Sequence, residues 1–246
     1  MDLSQSLIQN RLLAALPAAE YERIAPDLEL IELPLGEVLR EAGGTQHYVY
    51  FPATAIVSLF YVLEDGASTE IAAIGNIGIV GLWMFLGGET TPSRAVVRAA
   101  GYGYRMKANL LKDEFSRGGA VLQLLLRFAQ ALLTQTSQIA VCNRYHSVEQ
   151  QLCRWLLLSL DRLPSDDLAI THELIANMLG VRREGVTEAA GNLQRAGLIS
   201  YSRGHIQVLD RAGLEKTVCE CYGVVKSEYE RMISDITPGD REHVLG

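Results

Sequence analysis

The run from Ile170 to Ile199, ITHELIANMLGVRREGVTEAAGNLQRAGLI, constrains the fold of this chain more than any other stretch. The hydroxyl of Thr171 can cap free backbone amides, so a helix is predicted to begin there. Its apolar residues recur at helical spacing and form one stripe, Leu174, Ile175, Met178 and Leu179. Gly180 predicts the end of this helix, because glycine adopts the left-handed backbone conformation readily. A second helix, from about Arg183 to Gln194, follows after a short turn, and the pair is predicted to cross as a helix-turn-helix.

The start of the second helix is predicted to be exposed and to read DNA. Arginine can bind guanine through two hydrogen bonds, and glutamate can accept one from cytosine. A solvated helix face of mixed charge is the alternative, and it is common. Residues 198–209 favour DNA reading, because apolar and polar residues alternate there around Arg203-Gly204, which predicts a hairpin and hence a winged helix. The predicted DNA-binding residues are Thr171, Arg182, Arg183, Glu184, Thr187, Glu188 and Arg203.

The same residues resemble the C-terminal domain of the Crp/Fnr family, bacterial transcription regulators related to the cyclic-AMP receptor protein. The resemblance extends over nearly the whole chain, and its strongest part carries Gly180, Arg183-Glu184, Val186, Leu193 and Gly197-Leu198-Ile199. The family usually has a further arginine one turn after Arg-Glu, whereas this chain has Glu188, which cannot donate to guanine. The resemblance implies a homodimer that binds a palindromic site in double-stranded DNA, with RNA polymerase as a further partner.

Composition and charge indicate a folded chain with a core. Of 246 residues, 48% are apolar and 21% are charged, which is typical of one large or two modest globular domains. No apolar run reaches the roughly 18 residues that span a bilayer, and the start MDLSQSLIQNR has no apolar secretory region. A cytoplasmic protein without membrane contact is therefore expected. The net charge of −7 argues mildly against DNA binding, although arginines cluster around the helix-turn-helix.

No enzyme, metal or cofactor is predicted. The five histidines are dispersed, and no nucleophile with a neighbouring base stands out. Cys142 and Cys153 lie in apolar helical patterns typical of core residues, and Cys219-x-Cys221 is too closely spaced for a zinc knuckle. Some Crp/Fnr members hold an iron–sulfur cluster through N-terminal cysteines, but this chain has no cysteine before Cys142. Redox sensing through Cys142 or the Cys219/Cys221 pair is an alternative function.

Residues 28 to about 107 change to short β-like runs separated by turn residues. Gly43-Gly44 and Asp65-Gly66 are such turns, and Asp65-Gly66 is the clearest signal of a two-residue hairpin. This spacing predicts a sandwich or barrel, and together with the helical C-terminal half it predicts an α+β fold. The Crp/Fnr resemblance implies that the region is a cyclic-nucleotide-binding-like β-roll, a jelly roll that senses an effector.

The resemblance also allows the effector chemistry to be compared residue by residue. Members that bind cyclic AMP use a Gly-Glu-x-Gly segment, aligned here with residues 78–81, and an Arg-Ser-Ala segment, aligned with residues 93–95. Ile79 replaces the glutamate, and Arg94 is displaced by one residue, which turns its side chain to the other face of a strand. Cyclic AMP in the usual mode is therefore not expected, and the effector is unknown.

One ligand feature is retained, because Thr136-Ser137 aligns with the Thr-Ser pair that contacts adenine in those members. The candidate effector pocket consists of Ile79, Gly81, Ser93, Arg94, Thr136 and Ser137. Arg94 and Arg98 are otherwise expected on an ordinary exposed strand face. A second functional hypothesis is a cyclic-nucleotide-binding regulatory module that acts through a protein partner, although Ile79 and Ser93 argue against it.

A long helix is predicted from about residue 119 to residue 145. Its apolar stripe contains a repeat of seven, which is typical either of packing on the β domain or of pairing with a second subunit. The family resemblance favours pairing, and the predicted dimer contacts are Leu125, Phe128, Leu132 and Ile139. The predicted domains are a sensor at 1–118, a dimerisation helix and hinge at 119–146, a winged helix-turn-helix at 147–236 and a tail at 237–246.

Overall fold

The computed structural model of the chain describes residues 9–88, 90–163, 167–202 and 204–234. They form an N-terminal β-roll, one long helix and a C-terminal helical domain with a small sheet. This mixture of helices and strands confirms the predicted α+β class. The predicted tail at 237–246 and the predicted DNA contact Arg203 both lie outside the described residues.

The β-roll consists of two antiparallel sheets preceded by two short helices. One sheet has the strand order β1-β7-β3 and the other β2-β6-β4-β5. The helices are α1 Arg11–Ala14 and α2 Ala18–Ile24, and the strands are β1 Glu29–Leu33, β2 Val38–Arg40, β3 Tyr48–Pro52, β4 Ile56–Val62, β5 Ser68–Ile74, β6 Arg94–Ala99 and β7 Gly101–Lys107. Phe51 and Tyr104 pair across β3 and β7 and are almost fully buried, so the core of the roll lies between the sheets.

Helices dominate the remainder of the described chain. They are α3 Ala108–Arg117, α4 Gly119–Tyr145, α5 Val148–Leu160, α6 His172–Leu179, α7 Arg183–Arg195, α8 Arg211–Thr217 and α9 Cys221–Ser234. The C-terminal sheet has the order β8-β10-β9, with β8 Asp167–Ala169, β9 Ile199–Ser202 and β10 His205–Val208. Among the described helices, none combines the length and the apolar content needed to cross a bilayer.

The hairpin predicted at Asp65-Gly66 connects β4 and β5. Gly66 has a φ of 86°, and the amide of Leu63 donates to the carbonyl of Ala67 over 2.7 Å. The Asp65 carboxylate accepts a hydrogen bond from the amide of Ala67. The loop therefore has three residues with a left-handed glycine at its end, one residue more than predicted.

The segment after the wing consists of two helices with a break between them. Helix α8 ends at Thr217, because Val218 takes an extended conformation with φ −66° and ψ 154°. Helix α9 begins only at Cys221. The apolar pattern runs on across this break, so the sequence does not reveal it. The turn between α8 and α9 places Cys219 and Cys221 beside the end of α4. His146 lies at the same place and connects α4 to the capping box that begins α5.

Helix α4 packs into the β-roll with one face. Phe128 is fully buried, and a Cβ on Gly78 would lie 2.8 Å from its ring, so only glycine permits this approach. Helix α9 packs along a neighbouring face, where the rings of Phe128 and Tyr229 meet edge to face at 6.3 Å. The Tyr229 hydroxyl also donates to Gln135 Oε1 over 3.0 Å. Two faces of α4 are therefore covered by its own chain.

Two of the four predicted dimer contacts face the core of their own chain. Leu125 and Phe128 are buried in the protomer's own core, whereas Leu132 and Ile139 are half-buried. The exposed stripe of α4 lies one residue further along the repeat and consists of Leu126, Gln130, Leu133, Ser137 and Ala140. A repeat of seven does not distinguish two neighbouring apolar faces, and only the β-roll decides which one is covered.

A buried polar contact joins the β-roll to α5. Arg98 on β6 lies 3.5 Å from the Glu70 carboxylate, donates to Ser159 Oγ over 3.1 Å, and stacks 4.5 Å from the centre of the Trp155 ring. Because α5 covers this part of β6, the prediction that Arg98 lies on an exposed strand face is wrong. Arg94, four residues earlier on β6, is half-exposed and pairs with Glu41.

Replacing Arg98 by Ala should lower the free energy of unfolding by about 3–5 kcal/mol, because it leaves the buried Glu70 carboxylate without its charged partner. Urea unfolding followed by far-UV circular dichroism measures the change. Arg94→Ala is the matched control, since it removes an arginine of the same strand from an exposed ion pair that contributes about 0–1 kcal/mol. Equal effects of the two substitutions would contradict the burial of Arg98.

Candidate nucleic-acid interface and cysteine cluster

Helices α6 and α7 form the helix-turn-helix that the sequence predicts. Thr171 Oγ1 accepts a hydrogen bond from the Leu174 amide over 3.2 Å and caps α6. Gly180 ends α6 with a φ of 67°, as its position predicts, and α7 follows after Arg182. The buried face of α7 contains Val186, Ala189, Ala190 and Leu193, which pack towards α5 and α6. The small alanines allow the helices to cross closely, and the opposite face of α7 is left to solvent.

The predicted DNA contacts lie on the solvent side of this unit. Exposed residues at the start of α7 and before α6 include Thr171, Arg182, Arg183, Glu184, Thr187 and Glu188. The N-terminus of α7 and its two adjacent arginines give this end a positive character that suits phosphate groups. The contact of these residues with DNA stays a prediction.

His172 is a part of this surface that the sequence analysis missed. Its Nδ1 lies 3.1 Å from Thr187 Oγ1, and its ring stacks on Tyr201 of β9 with 3.9 Å between the ring centres. Partial burial, and secondarily the positive charge of Arg183, lower the pKa of His172. A neutral His172 thus connects α6, α7 and the first strand of the wing. Its position directly after the capping Thr171 was the available signal in the sequence.

The wing is a three-stranded sheet, in which β8 joins the hairpin of β9 and β10. Ile206 on β10 pairs with Tyr201 on β9 and with Leu168 on β8. The Tyr201 amide donates to Gln194 Oε1 over 2.8 Å, which ties the wing to the end of α7. The wing and the start of α7 are therefore held in a fixed relation on one side of the domain.

Several residues of the predicted effector pocket already have partners or burial within the fold. Ile79 is fully buried in the core of the roll, and Ser93 is buried where it accepts a hydrogen bond from Arg40 over 3.0 Å. Thr136 Oγ1 donates to backbone carbonyls of β5 and α4. Ser137 is exposed, and half-exposed Arg94 pairs with Glu41. Gly81 occupies a left-handed turn with a φ of 114°.

A cavity of about 340 Å³ lies instead where the β-roll meets the C-terminal domain. Arg98, Trp155 and Ser159 form its polar and aromatic side, and Leu35, Ile56 and Leu168 form part of its apolar side. Its walls thus come from β4, β6, α5 and β8. Among the described residues, none of the six predicted pocket residues lines this cavity.

Three cysteines and one histidine meet where α4 ends. Cys142, His146, Cys219 and Cys221 place their ligand atoms within 4.8 Å of one another. This juxtaposition corrects two predictions: that the histidines and cysteines do not form a ligand set, and that Cys142 is an ordinary core residue. Its sequence signals are two short spacings: Cys142 and His146 lie one helical turn apart, and Cys219 and Cys221 are separated by one residue. The two pairs lie more than seventy residues apart, and only the tertiary fold brings them together.

Two cysteines of this cluster, Cys219 and Cys221, have raised pKa values. Burial, followed by the neighbouring cysteines, raises the pKa of Cys221 to about 12, and burial also raises the pKa of Cys219. Because the thiolate is the reactive form, a raised pKa slows reaction with oxidants. Redox sensing through the Cys219/Cys221 pair is therefore disfavoured at these two thiols.

Comparison with known proteins assigns the fold. Residues 150–217 match the family model of the Crp-like helix-turn-helix domain. The structure is similar to a putative Crp/Fnr transcriptional regulator from Eubacterium rectale, with 18% identity, a TM-score of 0.63 and coverage of 83% of this chain and 96% of that chain. It is also similar to FixK2 from Bradyrhizobium japonicum, with 18% identity, a TM-score of 0.64 and coverage of 78% and 98%. No curated protein matches the chain by sequence.

A third similar structure is the c-di-GMP responsive global regulator CLP of Xanthomonas campestris, with 16% identity, a TM-score of 0.64 and coverage of 79% of this chain and 100% of that chain. Residues 150–217 therefore form a Crp-like helix-turn-helix domain, and the whole chain has the fold seen in Crp/Fnr transcriptional regulators, as the sequence predicts.

Replacing Arg183 by Ala should raise the pKa of His172, because it removes a positive charge that disfavours the imidazolium. The pKa should nevertheless stay below 6.5, since burial is the larger cause of its lowering and is unchanged. NMR titration of the His172 ring measures both effects. Arg195→Ala, at the other end of α7, is the control and should leave this pKa where it is. An unchanged His172 pKa in Arg183→Ala would contradict the arrangement of α6 and α7.

Proposed function

We propose that the protein is a homodimeric transcription regulator that binds a palindromic DNA site, and that its β-roll sets the orientation of two α7 helices. The proposal rests on the difference in burial between the two faces of α7. One face is buried against α5 and α6, while Arg182, Arg183 and Glu184 are exposed beside the wing. The Crp-like helix-turn-helix match over the same residues supports this assignment.

In this proposal α7 enters the major groove with its N-terminal end foremost. Arg183 binds a guanine edge and Glu184 accepts from a cytosine amino group. Arg182 and Thr171 contact phosphates on either side, where the α7 N-terminus adds its own positive field. Thr187 faces the groove while its hydroxyl is shared with His172. Glu188, one turn after Glu184, favours a half-site without a guanine at the position that it faces.

The proposed dimer forms through the exposed stripe of α4 defined above. Leu126, Leu133 and Ala140 recur at intervals of seven on a face that neither the β-roll nor α9 covers. Two parallel copies of α4 bury this stripe in a coiled coil and create a two-fold axis. The same axis relates the two α7 helices, as a palindromic site requires.

The proposed sensor function uses contacts between the β-roll and the C-terminal domain. Arg98 holds α5 through Ser159 and Trp155, and Thr69 of β5 donates to the Met178 carbonyl at the end of α6. An effector that enters the cavity beside Arg98 competes with these contacts and so changes the position of α6 and α7. Regulators of this fold include a c-di-GMP responsive protein. Cyclic AMP in the usual mode is not part of the proposal, because Ile79 is buried in the core.

Two further elements follow from the family resemblance alone. They are contact with RNA polymerase once the dimer is on DNA, and action in the cytoplasm, where the DNA is. The alternative of a cyclic-nucleotide-binding module that acts through a protein partner is less well supported, because the exposed face of α7 carries residues that suit DNA.

Replacing Arg183 by Ala should weaken binding to the selected DNA site by about 1–3 kcal/mol and relax the preference at one base pair. Fluorescence anisotropy with the site and its single-base variants measures both quantities. Arg117→Ala, an exposed arginine of α3 paired with Glu114, is the matched control and should bind like the unaltered protein. Affinity should also fall steeply with salt. Full affinity and unchanged base preference in Arg183→Ala would show that α7 does not read the groove.

Introducing charge on the exposed stripe of α4 should separate the subunits, because buried like charges repel across a two-fold axis. Leu133→Asp should therefore sediment as a monomer and lose affinity for a palindrome more than for a single half-site. Leu63→Asp on the β4–β5 loop is the matched control, since the two leucines are 64% and 62% exposed. A dimeric, palindrome-binding Leu133→Asp protein with unchanged circular dichroism would exclude this interface.

A further inference from the structure

The cluster of Cys142, His146, Cys219 and Cys221 lies at the junction between the β-roll and the C-terminal domain. Cys142 is in the last turn of α4, and His146 is its C-cap residue, directly before the start of α5. Cys219 lies in the turn between α8 and α9, and Cys221 is the first residue of α9. The three cysteines are buried and free, and they form a small cluster separate from the main core.

The distances within the cluster match those between the ligands of a single tetrahedral ion. Cys142 Sγ lies 3.6 Å from Cys219 Sγ, and Cys221 Sγ lies 3.6 Å from His146 Nδ1. Zinc–sulfur bonds of about 2.3 Å and zinc–nitrogen bonds of about 2.0 Å place tetrahedral ligand atoms about 3.5–3.8 Å apart. An iron–sulfur cluster inserts several iron and sulfide ions between its thiolates and so requires wider separations. The two sulfurs are also further apart than the roughly 2.05 Å of a disulfide bond.

The histidine already has the surroundings of a metal ligand. Its Nδ1 faces Cys221, while its Nε2 lies 3.3 Å from the carboxylate of Glu220. Metal-binding histidines typically donate their second ring nitrogen to a carboxylate, which fixes the tautomer and the direction of the ring. Glu220 is therefore a positioning residue for His146.

A buried guanidinium supplies the charge that such a centre requires. Arg154 of α5 is buried and donates from Nε to Cys142 Sγ over 3.2 Å. Three thiolates, one neutral imidazole and a divalent cation carry a net charge of −1, which Arg154 balances. Next to three neutral thiols, the same guanidinium would be a buried charge without an anionic partner at this contact. The surroundings thus favour the metal-bound form of the cluster.

We propose that Cys142, His146, Cys219 and Cys221 bind one zinc ion in tetrahedral geometry. Zinc is the divalent ion that a closed set of three thiolates and one imidazole suits best. Binding displaces three thiol protons to solvent and forms three Zn–S bonds and one Zn–N bond. The ion joins the end of α4 to the α8–α9 turn and restrains His146, the residue at which the two domains meet. This inference does not depend on DNA binding, so a failure of either leaves the other standing.

The full-length protein, purified under reducing conditions after growth with zinc, should contain one equivalent of zinc per chain by mass-spectrometric metal analysis. After chelation, titration with Co²⁺ should produce the intense visible absorption of a tetrahedral thiolate site, and zinc should displace it. Cys142→Ser and Cys219→Ser should lose the stoichiometric metal while keeping their circular dichroism. Cys153→Ser, which replaces the buried cysteine outside the cluster, is the matched control and should keep one equivalent.

Glu220→Gln gives a second test that does not alter a ligand. Loss of the carboxylate behind His146 should weaken zinc affinity by roughly 10-fold in competition with a chelator, as is typical of partners that orient metal ligands. Glu230→Gln, at an exposed position further along α9, should have no effect. Less than stoichiometric zinc in the unaltered protein, a visible iron–sulfur spectrum, or a Cys142–Cys219 disulfide in peptide mapping would each overturn the proposal.

Discussion

The packing of α4 is the constraint on which the rest of the structure depends. This helix has 27 residues, and its faces contact different parts of the chain. One face inserts Phe128 into the β-roll, where Gly78 leaves room for the ring. A second face receives α9 through Tyr229 and Gln135. The third face is exposed. The last turn of α4 places Cys142 at the junction between the domains. A rotation of α4 would therefore disturb the core, the C-terminal helix and the junction together.

Helix α5 transmits this constraint to the C-terminal domain. Every residue from Gln151 to Leu160 is buried, so α5 is covered on all sides and serves as the centre of that domain. Arg98 and Trp155 fix it against the β-roll, while α7 packs against another of its faces. In the proposed function, the C-terminal domain responds to a change in the β-roll as one body, because α5 is covered all round. His146, which joins α4 to α5, is the hinge in that proposal.

The exposed face of α7 depends on this buried framework. The arginines and glutamates at the start of α7 face solvent, because Val186 and Leu193 on the opposite side of the helix are buried. The wing is held to α7 through Gln194 and to α6 through the stacking of His172 on Tyr201. The candidate DNA surface is thus held by contacts within its own domain, and the proposed regulation acts on the position of the whole domain. A metal at His146 would act on that position, since its ligands come from both sides of the junction.

Local patterns in the sequence determined the helix-turn-helix, its caps at Thr171 and Gly180, the capping box of α5 and the succession of strands and helices. Each of these depends on residues within one element or one turn, where spacing alone defines the structure. Tertiary structure decided which apolar face of α4 stays exposed, why Arg98 is buried, and where the C-terminal helix breaks. It also brought Cys142 and His146 to Cys219 and Cys221. The periodicity of an element specifies that a face must be covered, but it does not specify which distant segment of the chain covers it.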